Sequence, residues 1–390
     1  MRGPLLRTAA ALLAASALVA HAQGEFLVPP GGLVLDGIPP IPAGIAAKTA
    51  PYIEFRASGN LDWHPTRHEV LVSRRTGETS QLHRVALPGT APEPLTELPD
   101  AVASGRYEPR AGAYLLYTSA AGGDEVFRIH RHDPATRETQ PVSPAGERAS
   151  APAWSSKGDR IVFTTVPVDR NNPTRELKTT VYLADPLAPE KARVLAVLPG
   201  GGWNSFRFSP DDRRLAYIET VSAEQSHIWM MDVASGKGRR LTPPPKGERV
   251  RYAEPHFAPD GKGLYAISDR GSEFRHLAWI DLASGREQAL AANLRFDVEG
   301  VAVSAAARRV AFVTNEAGAH VLRLLDTVTR KEMPRPALVS GVISGLRWRR
   351  DGGEIAFTHA SSRSPGDVFS YDLVAHRVTR WTNGNSPGLN

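Results

Sequence analysis

The sequence contains no cysteine, which excludes disulfides, thiolate metal sites and lipid attachment through a lipobox cysteine. An oxidising compartment stays open, because core burial stabilises a chain of this size without cross-links. Long apolar runs are scarce as well. The uncharged stretch Thr8–Ala20 has 13 residues, too few to span a bilayer comfortably. Long helical periodicities are missing throughout, so a helix bundle is not expected. Lysine is also sparse, with 8 among the 47 basic residues. The arginines are scattered rather than clustered and the net charge is +6, a balance that gives no support for a nucleic-acid partner.

What the chain does have is repetition. A short apolar run recurs as EVLVSRR, AYLLYTS, RIVFTTV, RLAYIET, GLYAISD, RVAFVTN and EIAFTHA, beginning at Glu69, Ala113, Arg160, Arg214, Gly263, Arg309 and Glu354. The intervals are 44, 47, 54, 49, 46 and 45 residues. A second run follows each, and in six of the seven units it ends on an aspartate: Asp133, Asp185, Asp232, Asp281, Asp326 and Asp372. An anchor precedes the turn before the first run in six units (Trp63, Trp154, Phe208, Phe257, Val303, Trp348). Short strands at this period predict propeller blades. The expected fold is all-β, a seven-bladed β-propeller of four-stranded antiparallel blades, over residues 58–386, with ring closure pairing strands from the two ends of the repeat region. The aspartates are expected to accept hydrogen bonds from backbone amides of the turns that follow them.

The ends read differently. Arg2 and Arg7 precede the apolar stretch, and Ala20-His21-Ala22 supplies a small-x-small cleavage pattern. Residues 1–22 therefore read as a signal peptide cut between Ala22 and Gln23, with the mature chain exported to the periplasm or secreted and left without a stable membrane anchor. Residues 23–57 form a Pro/Gly-rich extended segment with a short helix around Ala43–Lys48, and residues 387–390 a tail.

No catalytic machinery is legible. His64 and His68 are separated by Pro65 and a turn, and His130 and His132 alternate on a strand without a nearby third ligand, so no metal is expected. Gly384-Asn385-Ser386-Pro387-Gly388 formally matches G-x-S-x-G, but Pro387 has no N–H for an oxyanion hole. Gly200-Gly201-Gly202 lacks the Lys-Ser/Thr of a phosphate loop and reads as a turn between blades. No cofactor is expected.

The connections from second to third strand are longer, more variable and more charged than those from first to second. Their face is the expected recognition surface. Arg270, Glu273, Asn315, Glu316 and Arg363 fall there in three consecutive units and form a candidate polar rim.

The segments LVLDGIPPIPAGI, LDWHPTRHEVLVS, GGGWN, SDRGSEFRHLAWIDL, FVTNEAG and AFTHASSRSPGDVFSYDLVAHRVTRWT resemble the amino-terminal propeller of exported bacterial prolyl oligopeptidase-family serine peptidases, in the branch near acylaminoacyl and dipeptidyl peptidases. The resemblance implies a propeller that caps an α/β-hydrolase active site and restricts entry to short peptides. The partner would be an α/β-hydrolase domain or chain, or short peptides. It carries no triad position onto this sequence, which stops where the family's catalytic domain would begin, so the chain by itself is expected to be inactive. Six-bladed propellers of the TolB type share the blade pattern. The alternative is thus a free-standing exported propeller that binds proteins or ligands.

Overall fold

The computed structural model describes residues 26–29, 31–168, 176–243 and 247–384. The cleavage site at Ala22 and Gln23 and the Ser386-Pro387 pair lie outside the described residues. Residues 57–384 form one compact unit. Within it are seven antiparallel sheets, each built from strands consecutive in the sequence. Blade 1 shows the plan: Ser58–Trp63, Val70–Thr76, Thr79–Val85 and Glu93–Pro94. The corresponding first strands are Val102–Tyr107, Trp203–Phe208, Tyr252–Phe257, Asp297–Val303 and Val342–Trp348 in blades 2, 4, 5, 6 and 7. Blade 3 splits this strand, since Glu147–Ala149 and Ala153–Trp154 both pair with Ile161–Pro167.

Burial explains the sequence pattern. Second strands are covered on both faces, and Leu115–Ser119 and Gly263–Ser268 are buried at every position, which accounts for continuous apolar runs instead of alternation. The anchors end the first strands, where those of adjacent blades adjoin around the ring. Tyr107 is the seventh anchor, almost fully buried, and the sequence pattern did not single it out. All six aspartates accept turn amides, for example Asp232 Oδ1 from Ser235 N at 2.8 Å and Asp326 Oδ1 from Thr329 N at 2.7 Å.

Ring closure corrects the expectation. Among the described residues no strand pairs one end of the repeat region with the other; blade 1 instead packs on blade 7 through side chains and isolated hydrogen bonds. Asn60 N–H donates to Thr358 Oγ1 at 2.7 Å, Asn60 Nδ2 to the Gly345 carbonyl at 2.7 Å, and Trp63 Nε1 to the Arg347 carbonyl at 3.1 Å. Trp63, Val70, Val72 and Val85 share a core with Ala356, Val368 and Trp381. Gly345 has φ +64°, and a Cβ there would stand 2.7 Å from the Asn60 carbonyl oxygen, so the seam needs glycine at this point. The physical reason for the difference is that each blade already completes its own four-stranded ladder, leaving the seam to side-chain burial.

The segment before the ring contains a helix at Ala43–Ile53, longer than the expected Ala43–Lys48. Pro51 is accommodated in its last turn. Among the described residues no helix is long and apolar enough to cross a membrane.

The mouth of the central channel as candidate functional site

Side chains alternate along a strand, so when an anchor turns into the blade interface the residue before it turns away. In blade order those residues are Asp62, Arg106, Ala153, Arg207, His256, Ala302 and Arg347. Six first strands also carry a bulge ahead of this position, which re-aims the chain locally. Ser205 and Glu254 sit at such bulges with φ of 56° and 48°.

The charged members converge. Arg106 donates to the Leu61 carbonyl in the neighbouring blade, and Arg347 Nε reaches the same oxygen at 3.1 Å from the other side. Two guanidinium groups thus flank one carbonyl. Arg207 donates to its own strand, to the Phe206 carbonyl at 2.9 Å. Burial pulls Arg106 below the ordinary guanidinium range, and the nearby Asp62 offsets part of this. For Arg207 burial acts in the same direction and the charge of Arg106 adds to it, against Glu254. Both remain protonated at any physiological pH. Burial lifts the Asp62 carboxyl to about 6, opposed by Arg106 and by the backbone N–H groups of Tyr107 and Trp63. Burial and Arg207 push His256 down to about 3, leaving it neutral.

This layer opens into a cavity of about 360 Å³ on the face formed by the turns between first and second strands. Its walls include the three tryptophan anchors Trp63, Trp154 and Trp348, and its charged lining is Asp62 against Arg106, Arg110, Lys157 and Arg350. Arg350, in the turn of blade 7, donates to the carbonyls of Pro109 and Arg110 in blade 2, both at 3.2 Å. Arg110 pairs with Glu108 at 3.3 Å. Burial pushes the Glu108 carboxyl up, yet the N–H groups of Ala111 and Arg110 and the Arg110 side chain hold it below the usual range. Two backbone N–H groups of blade 3, those of Ser156 and Lys157, are pinned by Asp212 of blade 4 at 2.6 and 3.1 Å. Trp63 and Trp348 donate their indole N–H to carbonyls of the preceding blade, Arg347 and Ala302. The buried Trp154 Nε1 has no hydrogen-bond partner among the described residues.

The candidate rim lies on the opposite face and comes together only in part. Asn315 and Glu316 end a strand, Arg309–Glu316, and are not in the loop. Glu316 is 2.6 Å from Arg323, which also binds Glu332. Asn315 Nδ2 donates to Glu299 at 3.2 Å, within a network that includes Arg275 and His320. Arg270 is 3.5 Å from Glu287, whose carboxyl burial pushes up while His276, Ser268, Tyr252 and Arg270 hold it low. Glu273 and Arg363 are exposed. Three of the five residues are therefore committed to local contacts. The two histidine pairs also go to separate partners: His64 Nδ1 accepts from Arg67 N at 3.0 Å and His68 meets Glu354 at 2.9 Å, while His130 stacks on Tyr117 and His132 meets Thr139. No group of three or more possible metal ligands gathers among the described residues. Gly202 has φ +85° and lies against the Thr220 carbonyl, as a turn requires. The channel residues were missed by sequence reasoning, although the signal was present as a charged residue or His immediately before the anchor in five of seven units.

No family model and no curated protein matches the sequence. Solved structures do. A prolyl endopeptidase matches with a TM-score of 0.73 and 15% identity, covering 100% of this chain and 56% of the other. Puromycin hydrolase matches with a TM-score of 0.71 and 19% identity, over 93% of this chain and 58% of the other. The chain has the fold of a prolyl oligopeptidase propeller. Prolyl oligopeptidase B from Galerina marginata gives the same picture, with a TM-score of 0.71, 14% identity and 54% of that chain covered. The chain thus spans a little over half the length of these three proteins. An oligogalacturonate lyase in complex with manganese also matches, with a TM-score of 0.65 and 14% identity, over 84% of this chain and 91% of the other.

Proposed function

We propose that the chain is the substrate-access module of a prolyl oligopeptidase-type serine hydrolase, capping an α/β-hydrolase site and restricting it to short peptides. The observation that carries this reading is the match of the whole chain to about half of a prolyl endopeptidase. The ring supports it physically, because a propeller with a charged cavity of about 360 Å³ at its mouth has room for a few residues of extended chain and none for a folded protein. Export, with Gln23 as the first mature residue, belongs to the same reading and is checked by amino-terminal mass spectrometry of extracytoplasmic material. The test of function is antibody capture of the propeller from its source cells followed by fluorophosphonate labelling. A labelled serine in the same polypeptide, or in a stoichiometric partner, is expected. An unlabelled capture would overturn the reading.

On this reading Glu273 and Arg363, the exposed members of the rim, are available to a hydrolase surface, whereas Arg270 and Glu316 serve the propeller. Charge reversal at Glu273 would weaken hydrolase docking without moving the melting temperature. A second reading, a free-standing binding propeller, is favoured by the oligogalacturonate lyase, of which the match covers 91%.

A further inference from the structure

We infer that the channel mouth is a carboxylate-binding site for short acidic peptides, built by Arg106, Arg350 and Lys157 beside the indole of Trp154. The peptide as carrier rests on the access-module reading; the anion site itself does not.

Charge is the first argument. Lining residues contribute four cations and one carboxyl to a cavity of about 360 Å³, and that volume accommodates a few residues of peptide rather than a folded surface. Among the described residues only one of the four, Arg110, makes an ion pair, with Glu108. Arg106 and Arg350 donate to backbone carbonyls, and Lys157 has no ion-pair partner among the described residues. A guanidinium that serves neutral carbonyls gains a stronger, charge-assisted and bidentate contact when a carboxylate arrives. Arg106 has Asp62 nearby, whereas Arg350 and Lys157 have no acid in ion-pair contact among the described residues.

The second argument is the unpaired donor. Trp154 occupies the same position as Trp63 and Trp348, and the indoles of those two are satisfied by the preceding blade. In blade 3 the first strand is interrupted between Ala149 and Ala153, and the equivalent contact is lost. A buried N–H without an acceptor is costly. The Trp154 side chain lines the basic cavity while its N–H is buried, so a small shift of the indole on binding would give this donor a carboxylate oxygen as acceptor. The tryptophan walls add apolar area for the peptide's backbone and side-chain stems. Arg350 spans from blade 7 to blade 2 at this opening, so binding would draw it off the Pro109 and Arg110 carbonyls.

The test is calorimetric titration of the full chain at low salt with N-acetyl-triglutamate, N-acetyl-triglutamine and trigalacturonate. Triglutamate is expected to bind at least about tenfold more tightly than triglutamine, and to weaken with added salt. Lys157→Gln and Arg350→Gln change exposed side chains and should each lower that affinity several-fold while leaving the melting temperature in place. Arg106→Gln should abolish it, with circular dichroism confirming the fold. Equal binding of the two peptides, unchanged affinity in all three variants, or binding of trigalacturonate without triglutamate would overturn the proposal. Since the titration needs no hydrolase, its failure is distinguishable from failure of the peptidase reading.

Discussion

Asp62 is the one acid among the described residues lining the mouth, and its environment sets a testable pH dependence. Burial raises its carboxyl from 3.8 to about 6, against Arg106 and the N–H of Tyr107. The folded state therefore holds this proton more tightly than the unfolded chain does. Its contribution to stability is full below pH 3.8 and is lost as the pH rises towards 6. Asp62→Asn keeps an acceptor for Tyr107 N–H, so the variant should melt a few degrees higher than the parent at pH 7 and show no such loss across this window. A lower melting temperature at pH 7 would contradict the assignment. Gly345 offers a conformational counterpart. Gly345→Ala combines positive φ with a Cβ 2.7 Å from the Asn60 carbonyl, and should cost about 2 kcal/mol in chemical denaturation.

Within a blade, the turn after the third strand is the most regular device. Backbone and hydroxyl donors from Ser235, Ser284 and Thr329 hold Asp232, Asp281 and Asp326 below the usual carboxylate range, and amides of Ala375 and Val374 do the same for Asp372. Depressed values have the opposite sign to that of Asp62: the stabilisation is present above the ordinary carboxylate range and disappears as the pH falls through the folded values. Melting temperatures should therefore fall as the pH drops below about 4, and replacing these four aspartates by Asn should lessen that fall. These turns were legible in the sequence because both the acid and its Ser or Thr donor are local. So were the second strands, whose burial on both faces writes an unbroken apolar run. Tyr107 was not legible as an anchor, because its burial comes from side chains of blade 1, such as Leu71 and Leu82, that are distant in sequence. The channel charges were visible as residue types, but which face of a strand looks into a channel depends on the neighbouring blades. Closure was illegible for the same reason: Asn60 and Thr358 lie 298 positions apart, and nothing local in either segment specifies their contact.

For the whole ring, the seam between blades 1 and 7 carries the distinctive physics. Trp381 is fully buried there, edge-on to Trp63 at 5.3 Å and to His68 at 4.9 Å, and its carbonyl accepts from Gly89 N at 3.0 Å. Trp381→Ala should cost roughly 3–5 kcal/mol. Among the described residues no strand ladder crosses any blade interface, and the seam alone has no chain connection between its two blades, so that loss should appear first as faster hydrogen exchange in Ser58–Trp63 and Val342–Trp348, ahead of global unfolding. Uniform exchange across all blades would argue against a seam held by side chains. A closed ring is also what an access module needs, since its selectivity fails if the blades part. The most direct measurement is the turnover of a short peptide and of a long unfolded polypeptide by the antibody-captured complex. The expected result is cleavage of the short peptide with the long chain largely spared; no turnover, or equal turnover of both, would contradict the assignment of this propeller to substrate access.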